Sequence, residues 1–233
     1  MDRNLEDGHN SELVLALQDR YHVYSFPKLA VALPDLTEVS HSTGYIESDG
    51  IKVFLENARR RSWLVRAELA VSDLDCKRAR ELLKKFSKSP DWNRDDFPST
   101  LIIYWHVLTS TGAREEADSI IDQSEQWYAR RARENQMEYG KDRWPAPLLA
   151  YMRGKGSFES ALKAASGRSY NLGALYLVRG LKDLQTGDKA AASRQFTTAL
   201  TEGSSWDECH DIATRLVKRL SDSTAGSDRQ ASE

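Results

Sequence analysis

Apolar residues recur at intervals of three and four along most of the chain, a pattern that predicts amphipathic helices rather than strands. Residues 51–71 contain one such helix, whose apolar positions are Phe54, Leu55, Ala58, Leu64, Ala67, Leu69 and Ala70. After a short break, residues 76–86 resume the period, and Pro90 closes the segment. Two helices joined by so short a link must turn back on each other.

The same arrangement of two helices around a break recurs further along the chain. A helix from about Phe97 ends at Gly112 and is followed by another from Ala113, and later pairs are broken at Gly156 and Gly187. Each second helix carries a small residue at a comparable place; these are Ala79, Ala117, Ala161 and Ala192. The pattern therefore predicts four antiparallel helical hairpins over residues 51–202, with an irregular spacing.

The order of large and small residues is clearest in two of these hairpins. In the last one it reads Tyr176, Gly180, Gly187, Asp188, Ala192, Phe196 and Ala199, and in the first one Trp63, Ala67, Ala70, Ala79, Leu83, Phe86 and Pro90. This order resembles the tetratricopeptide (TPR) repeat, a unit of ~34 residues made of two antiparallel helices. The resemblance implies that Gly180 and Ala192 let paired helices approach closely, while Phe196 fills the space beside them.

The resemblance implies an all-α fold, an α-α superhelix of TPR-like antiparallel helix pairs with a C-terminal capping helix. The two middle hairpins depart from the pattern, because bulky Trp105 replaces a small residue and Arg168 falls past a shortened helix. Residues 144–165 with 174–188 also look like the terminal part of bacterial TPR lipoproteins, without a lipid-bearing cysteine. 

Three regions follow from these patterns. Residues 1–50 are expected to form a partly extended arm with one short helix, because Pro27, Pro34, Gly44 and Gly50 forbid a long one. Residues 51–222 form the repeat domain, which ends in a capping helix that begins at Ser205 and has an apolar stripe of Ile212, Leu216, Val217 and Leu220. Residues 223–233 have nothing to bury and are expected to be a disordered tail.

Charge and cysteine content narrow the function classes. The net charge of −2 over 233 residues gives no overall basic field, so nucleic acid is not expected as a partner. The two arginine clusters, 59–61 and 130–133, have glutamates on neighbouring turns and are explained by intrahelical pairing. The two cysteines suit a reducing compartment, and no apolar run is long enough to span a membrane, so a cytoplasmic location is expected.

Candidate chemistry is sparse. His106 is the best candidate base, but the sequence supplies no recognisable nucleophile or carboxylate to go with it. Cys209 and His210 lie near Asp207, Glu208 and Asp211, yet adjacent residues on a helix point about 100° apart and the usual zinc spacings are missing. We therefore expect no metal, no cofactor and no enzymatic activity.

A stack of helical hairpins presents a concave face, which suits a protein or peptide partner. Family positions carried over to this chain place eight residues on that face: Leu64, Glu68, Ile102, His106, Arg143, Arg153, Leu177 and Leu181. An aromatic edge around Trp127, Tyr128, Tyr139 and Trp144 is a second candidate surface. The leading hypothesis is a non-enzymatic interaction scaffold. The alternative is an enzyme, or an accessory subunit of one, that uses His106 in the same groove, and self-association stays open.

Overall fold

The computed structural model describes residues 28–44, 46–86, 98–134, 142–205 and 208–230, and most of them are helical. Within these ranges there are two strands and nine helices. The strands are β1 (Lys28–Ala32) and β2 (Glu38–Thr43). The helices are α1 (Ser48–Ser72), α2 (Cys76–Phe86), α3 (Ser99–Ser110), α4 (Arg114–Glu134), α5 (Ala146–Met152), α6 (Phe158–Ala165), α7 (Ser169–Gln185), α8 (Lys189–Glu202) and α9 (Glu208–Gln230). The expectation of a predominantly helical protein is confirmed.

The chain divides into two compact units, Met1–Val65 and Arg66–Glu233, and the boundary falls inside α1. In the first unit, β1 and β2 form an antiparallel hairpin that pairs Lys28 with Thr43 and Val31 with Ser40. The sequence predicted extended chain here but not its pairing. The short helix predicted within 1–50 has no counterpart in 28–44, and residues 1–27 lie outside the described residues.

The first half of α1 is less buried than its pattern predicted. Of the predicted apolar positions, Leu55 is exposed and Phe54 is half-buried, whereas Ala58 and Leu64 are buried. Ile51 and Val53, which are outside the predicted set, are also exposed. Amphipathic spacing shows which residues share a helix face, but it does not show that another element covers that face. The predicted repeat boundary at residue 51 therefore differs from the boundary between the compact units.

In the second unit, four turns between consecutive helices have the same backbone geometry. Each contains a residue with positive φ, at Leu74, Gly112, Gly154 and Gly187. The residue that follows donates its N–H to the carbonyl five positions earlier, as Ala113 does to Leu108 and Asp188 to Asp183. This is the hydrogen bond of a Schellman motif, which ends a helix and reverses the chain. The predicted turns at Gly112 and Gly187 are confirmed, and the pair broken near Gly156 turns at Gly154.

The predicted small residues lie in the core of this unit. Ala79, Ala117, Ala161 and Ala192 are all buried, and Phe196 is fully buried beside Gly180. Helix α7 contacts α8 and α6, and α3 contacts both α4 and α2. Helix α3 also packs directly against α7, although the pair α5–α6 separates them in sequence.

Helix α9 packs against both α7 and α8, as predicted for a helix that covers the last hairpin. Ile212, Leu216 and Leu220 of its predicted stripe are buried, and Val217 is half-buried. The predicted cap at Ser205 is followed by residues 206 and 207, which lie outside the described residues.

The same helix reaches back to earlier elements. The hydroxyl of Ser99 at the start of α3 donates to the carboxylate of Glu208, and Arg215 pairs with Glu68 of α1 at 4.0 Å. The helix continues to Gln230 rather than ending at the predicted tail boundary of 222, because extending a formed helix costs much less than starting one.

Candidate functional site

The second unit contains a cavity of about 1160 Å³, which we call the basic cavity. It opens where three helices begin, at Cys76 of α2, Arg114 of α4 and Lys189 of α8. Its floor is formed by residues of α3 and α7, among them Trp105, His106 and Gln185. Three of the four repeated turns explain where the cavity lies. The turns after α1, α3 and α7 bring the starts of α2, α4 and α8 to the lining of the same cavity.

The charges of the basic cavity do not follow those of the whole chain. Three acidic residues line it, Asp75, Glu81 and Asp118. The basic residues that line it number seven, and they are Lys77, Arg80, Lys84, Arg114, Arg153, Lys182 and Lys189. Because the whole chain carries a net charge of −2, positive charge is concentrated here. A concave surface lined with one sign of charge focuses its field and attracts ligands of the opposite sign.

Some of these cations are already engaged. Arg80 pairs with Glu116 at 2.8 Å, and Arg153 pairs with Asp122 and, at 3.2 Å, with Glu125. Within the part of the chain that the structure describes, the other exposed cations of the lining have no carboxylate within 4 Å; they are Lys77, Lys84, Arg114 and Lys189. These four are therefore available to a ligand.

Lys182 is held in the cavity without a carboxylate among the described residues. Its Nζ donates to the carbonyls of Tyr151 and Met152, at 2.9 and 3.3 Å, and lies 5.5 Å from the ring centroid of Trp105. Burial, and after it the positive charge of Arg114, lower the pKa of Lys182. The lowered pKa means that the protonated form of Lys182 is destabilised at this position. A bound anion would offset both the burial of its charge and the repulsion from Arg114.

Three of the cations lie in unusual positions on their helices. Lys77, Arg114 and Lys189 are in the first turn of α2, α4 and α8, where the positive end of the helix dipole disfavours a cation. Asp75 and Asp188 cap two of these helices by accepting hydrogen bonds from the amides of Arg78 and Ala191. These capping carboxylates offset the positive ends of α2 and α8, beside which Lys77 and Lys189 lie.

His106 lies on the floor of the basic cavity between Cys76 and Gln185. Its Nε2 is 3.6 Å from the Cys76 Sγ, and its Nδ1 is 3.2 Å from the Gln185 Nε2. The hydroxyl of Thr109 donates to the carbonyl of Trp105, so it accepts from the amide of Gln185 at 2.6 Å. That fixes the amide nitrogen toward His106, where it donates to Nδ1, and leaves the ring proton on Nε2.

This cluster is electrically neutral near pH 7. Burial lowers the pKa of His106 to about 4. Burial also raises the pKa of the Cys76 thiol, despite a hydrogen bond with Ser110 that lowers it. Because Nε2 carries the proton, His106 has no lone pair facing the thiol and cannot take its proton in this arrangement.

The eight residues predicted to face a partner divide into groups. His106 and Arg153 line the basic cavity. The four aliphatic residues are buried in the core and so cannot reach a bound peptide as the chain is folded; they are Leu64, Ile102, Leu177 and Leu181. Their apolar side chains fit the helix core better than a solvated surface. Glu68 is also buried and pairs with Arg215, and Arg143 is exposed outside the lining of the cavity.

The cations that define the cavity were missed by the sequence reasoning. Lys77, Arg114 and Lys189 each stand one or two residues after a helix break. A basic residue at that position in the first, second and fourth hairpins is a detectable signal, because the starts of these three second helices line one cavity. The predicted partner-binding residues were transferred from the TPR repeat, and that transfer considered only the first helix of each hairpin.

The remaining candidates are placed as follows. Arg130 and Arg131 pair with Glu134 at 3.9 and 3.8 Å, as expected for intrahelical pairs. The rings of Trp127 and Tyr128 meet edge to face at 4.9 Å, while Tyr139 lies outside the described residues. Among the residues that the structure places, no three His, Cys, Asp or Glu side chains are grouped as metal ligands, and Asp207 lies outside that part.

Comparisons with protein-family models, with curated proteins and with solved structures found no match to this chain. Over its described residues, none of the helices combines the length and the apolar character needed to cross a membrane.

Proposed function

We propose that this chain is a non-enzymatic interaction module, built from TPR-like helical hairpins, that binds an acidic segment of a partner protein in the basic cavity. The observation that carries the proposal is the charge of the lining, with seven basic and three acidic side chains in a chain that is acidic overall. The recurring turn at Leu74, Gly112, Gly154 and Gly187 supports the TPR-like description, since it repeats one hairpin geometry along the chain.

A peptide suits this cavity better than a nucleic acid. Asp75, Glu81 and Asp118 lie among the cations and would repel an unbroken row of phosphates. A peptide can place its carboxylates beside the free cations and leave neutral residues beside the acids.

The enzymatic alternative rests on Cys76, His106 and Gln185, which together contain a thiol, an imidazole and an amide. Thr109 and Gln185 fix the His106 tautomer that keeps its proton on Nε2. The lowered pKa of His106 and the raised pKa of Cys76 also favour a structural role for this cluster.

The two free cysteines are consistent with the cytoplasmic location that we propose.

Fluorescence anisotropy with a labelled peptide of six consecutive glutamates tests the proposal. The wild-type chain is expected to bind it more tightly than a six-lysine peptide, and increasing salt is expected to weaken the binding. The triple variant Lys77→Ala, Arg114→Ala, Lys189→Ala is expected to lose about 3- to 150-fold in affinity, since each exposed charge pair contributes about 0.2–1 kcal/mol.

A matched control removes the same charge elsewhere, with Lys163→Ala, Lys218→Ala and Arg219→Ala, three exposed cations outside the basic cavity. The triple cavity variant should not lose stability, because it removes cations from the positive ends of helices. Equal loss in both triple variants, or tighter binding of a single-stranded oligonucleotide than of the acidic peptide, contradicts the proposal.

A further inference from the structure

A second, smaller groove of about 520 Å³ adjoins the basic cavity, and we call it the apolar groove. It is formed by α2, α3 and α4. Four large side chains supply its apolar surface: Leu83, Tyr104, Leu108 and Ile120. Each of them is at most 8% exposed, so only a small part of each side chain reaches the groove.

The one hydroxyl among these four side chains, that of Tyr104, already has a hydrogen-bond partner. Tyr104 donates its O–H to the carbonyl of Leu83 at 3.2 Å, and burial raises the pKa of that phenol. The charged residues at the rim balance, since Arg80 and Lys84 are matched by Glu115 and Glu116. The groove therefore has no charge preference, unlike the neighbouring cavity, and it suits an apolar side chain.

The two sites share residues of α2. Arg80 and Lys84 line both of them, and they lie one helical turn apart. A single extended segment that crosses this turn of α2 reaches both sites with only a few residues between them. The arrangement matches a partner whose acidic residues and apolar anchor are close together in sequence.

Resting on the proposed function, we infer that the acidic partner segment continues from the basic cavity into the apolar groove and buries a leucine-sized side chain there. The specificity is then bipartite. Carboxylates bind beside Lys77, Lys84, Arg114 and Lys189, and one apolar residue a short distance along the same segment packs on Leu108 and Ile120. Charge supplies attraction at long range, and burial of the anchor distinguishes one acidic segment from another.

Two sets of labelled peptides test this inference by anisotropy. Each peptide carries four glutamates, then one to four glycines, and then either leucine or alanine. We expect at least one spacing at which the leucine peptide binds about tenfold more tightly than its alanine counterpart, because the additional carbons are removed from water.

A groove-filling variant supplies the second arm. Ser119 is exposed and lines the apolar groove, so Ser119→Trp should occupy it without disturbing the core. In that variant the leucine and alanine peptides should bind equally, with the affinity of the alanine peptide unchanged. Thr197→Trp, at an exposed site on α8 outside both linings, is the matched control and should keep the difference.

The outcomes separate the two proposals. Equal binding of leucine and alanine peptides to the wild-type chain at every spacing overturns the apolar anchor and leaves the acidic-segment proposal standing. A leucine preference that survives in Ser119→Trp also overturns it, because the anchor then binds elsewhere. If neither glutamate-containing peptide binds more tightly than a matched lysine peptide, the proposed function itself is overturned.

Discussion

The ring of Phe196 on α8 occupies the space that a side chain at position 180 on α7 would need. A Cβ added to Gly180 would lie 2.6 Å from the Phe196 Cδ1 and 2.9 Å from its Cζ, closer than real Cβ contacts. The glycine therefore allows the two helices to approach, and the aromatic ring uses the space gained. This is the packing that the sequence predicted for the last hairpin.

Replacement of that glycine should destabilise the chain. For Gly180→Ala we expect a net loss of up to about 2 kcal/mol in the free energy of unfolding, because overpacking costs about 1–3 kcal/mol and the gain in helix propensity returns about 1 kcal/mol. Urea denaturation measures this. In combination with Phe196→Leu the two losses should be less than additive by at least about 0.5 kcal/mol, and strict additivity would contradict the contact.

His106 should make stability depend on pH. Its pKa is about 4 in the folded chain against an ordinary value of 6.5, so the unfolded state binds more protons between these values. Stability is therefore full above pH 6.5 and is lost as pH falls toward 4, by at most about 3 kcal/mol. Denaturant titrations at pH 7, 5.5 and 4 measure the slope. His106→Gln should be less stable at pH 7 but show a shallower slope, and an unchanged slope would argue against a buried neutral ring.

Glu68 should matter for stability rather than for binding. The residue is 6% exposed, and its carboxylate pairs with Arg215. Glu68→Gln should lower the free energy of unfolding by about 1–3 kcal/mol, because it weakens a buried charge-assisted contact. Its affinity for the six-glutamate peptide should equal that of the wild type, since Glu68 is outside the basic cavity. An affinity change without a stability change would restore its predicted role at a binding surface.

The two thiols should react at very different rates. Cys76 is half-buried and lines the basic cavity, whereas Cys209 is fully buried in α9. In the native chain a disulfide reagent such as DTNB should titrate one thiol slowly, because burial raises the pKa of Cys76, and the other only in denaturant. Cys76→Ser should abolish the native reaction. The six-glutamate peptide should slow it further, and no protection at saturating peptide would place binding elsewhere.

Much of the helical organisation could be predicted from local patterns. Gly112 and Gly187 mark turns because a positive φ favours glycine there, and buried alanines at 79, 117, 161 and 192 mark close helix contacts. The turn at Leu74 was found only because the apolar period restarts after it. Exposure of Leu55 was not predictable, because a periodic pattern does not identify what lies against it.

The candidate site was predicted less well than the fold. His106 and Arg153 of the predicted set line the basic cavity, but the aliphatic residues Ile102 and Leu181 are part of the core. A stripe of apolar residues along a helix is more often buried in the core than used for binding. Positions transferred from the TPR repeat do not distinguish these two cases, and in this chain α3 packs on α7. The charges that define the cavity come from three separate helix starts, and only the fold brings them together.

The contacts that α9 makes with Glu68 and Ser99 also determine how the molecule comes apart. In an open stack the terminal hairpin can fray by itself, since it touches only its neighbour. Here the last helix ties down the first ones, so cutting the chain after residue 205 would loosen both ends at once. Such a tie favours a single cooperative melting transition of the second unit.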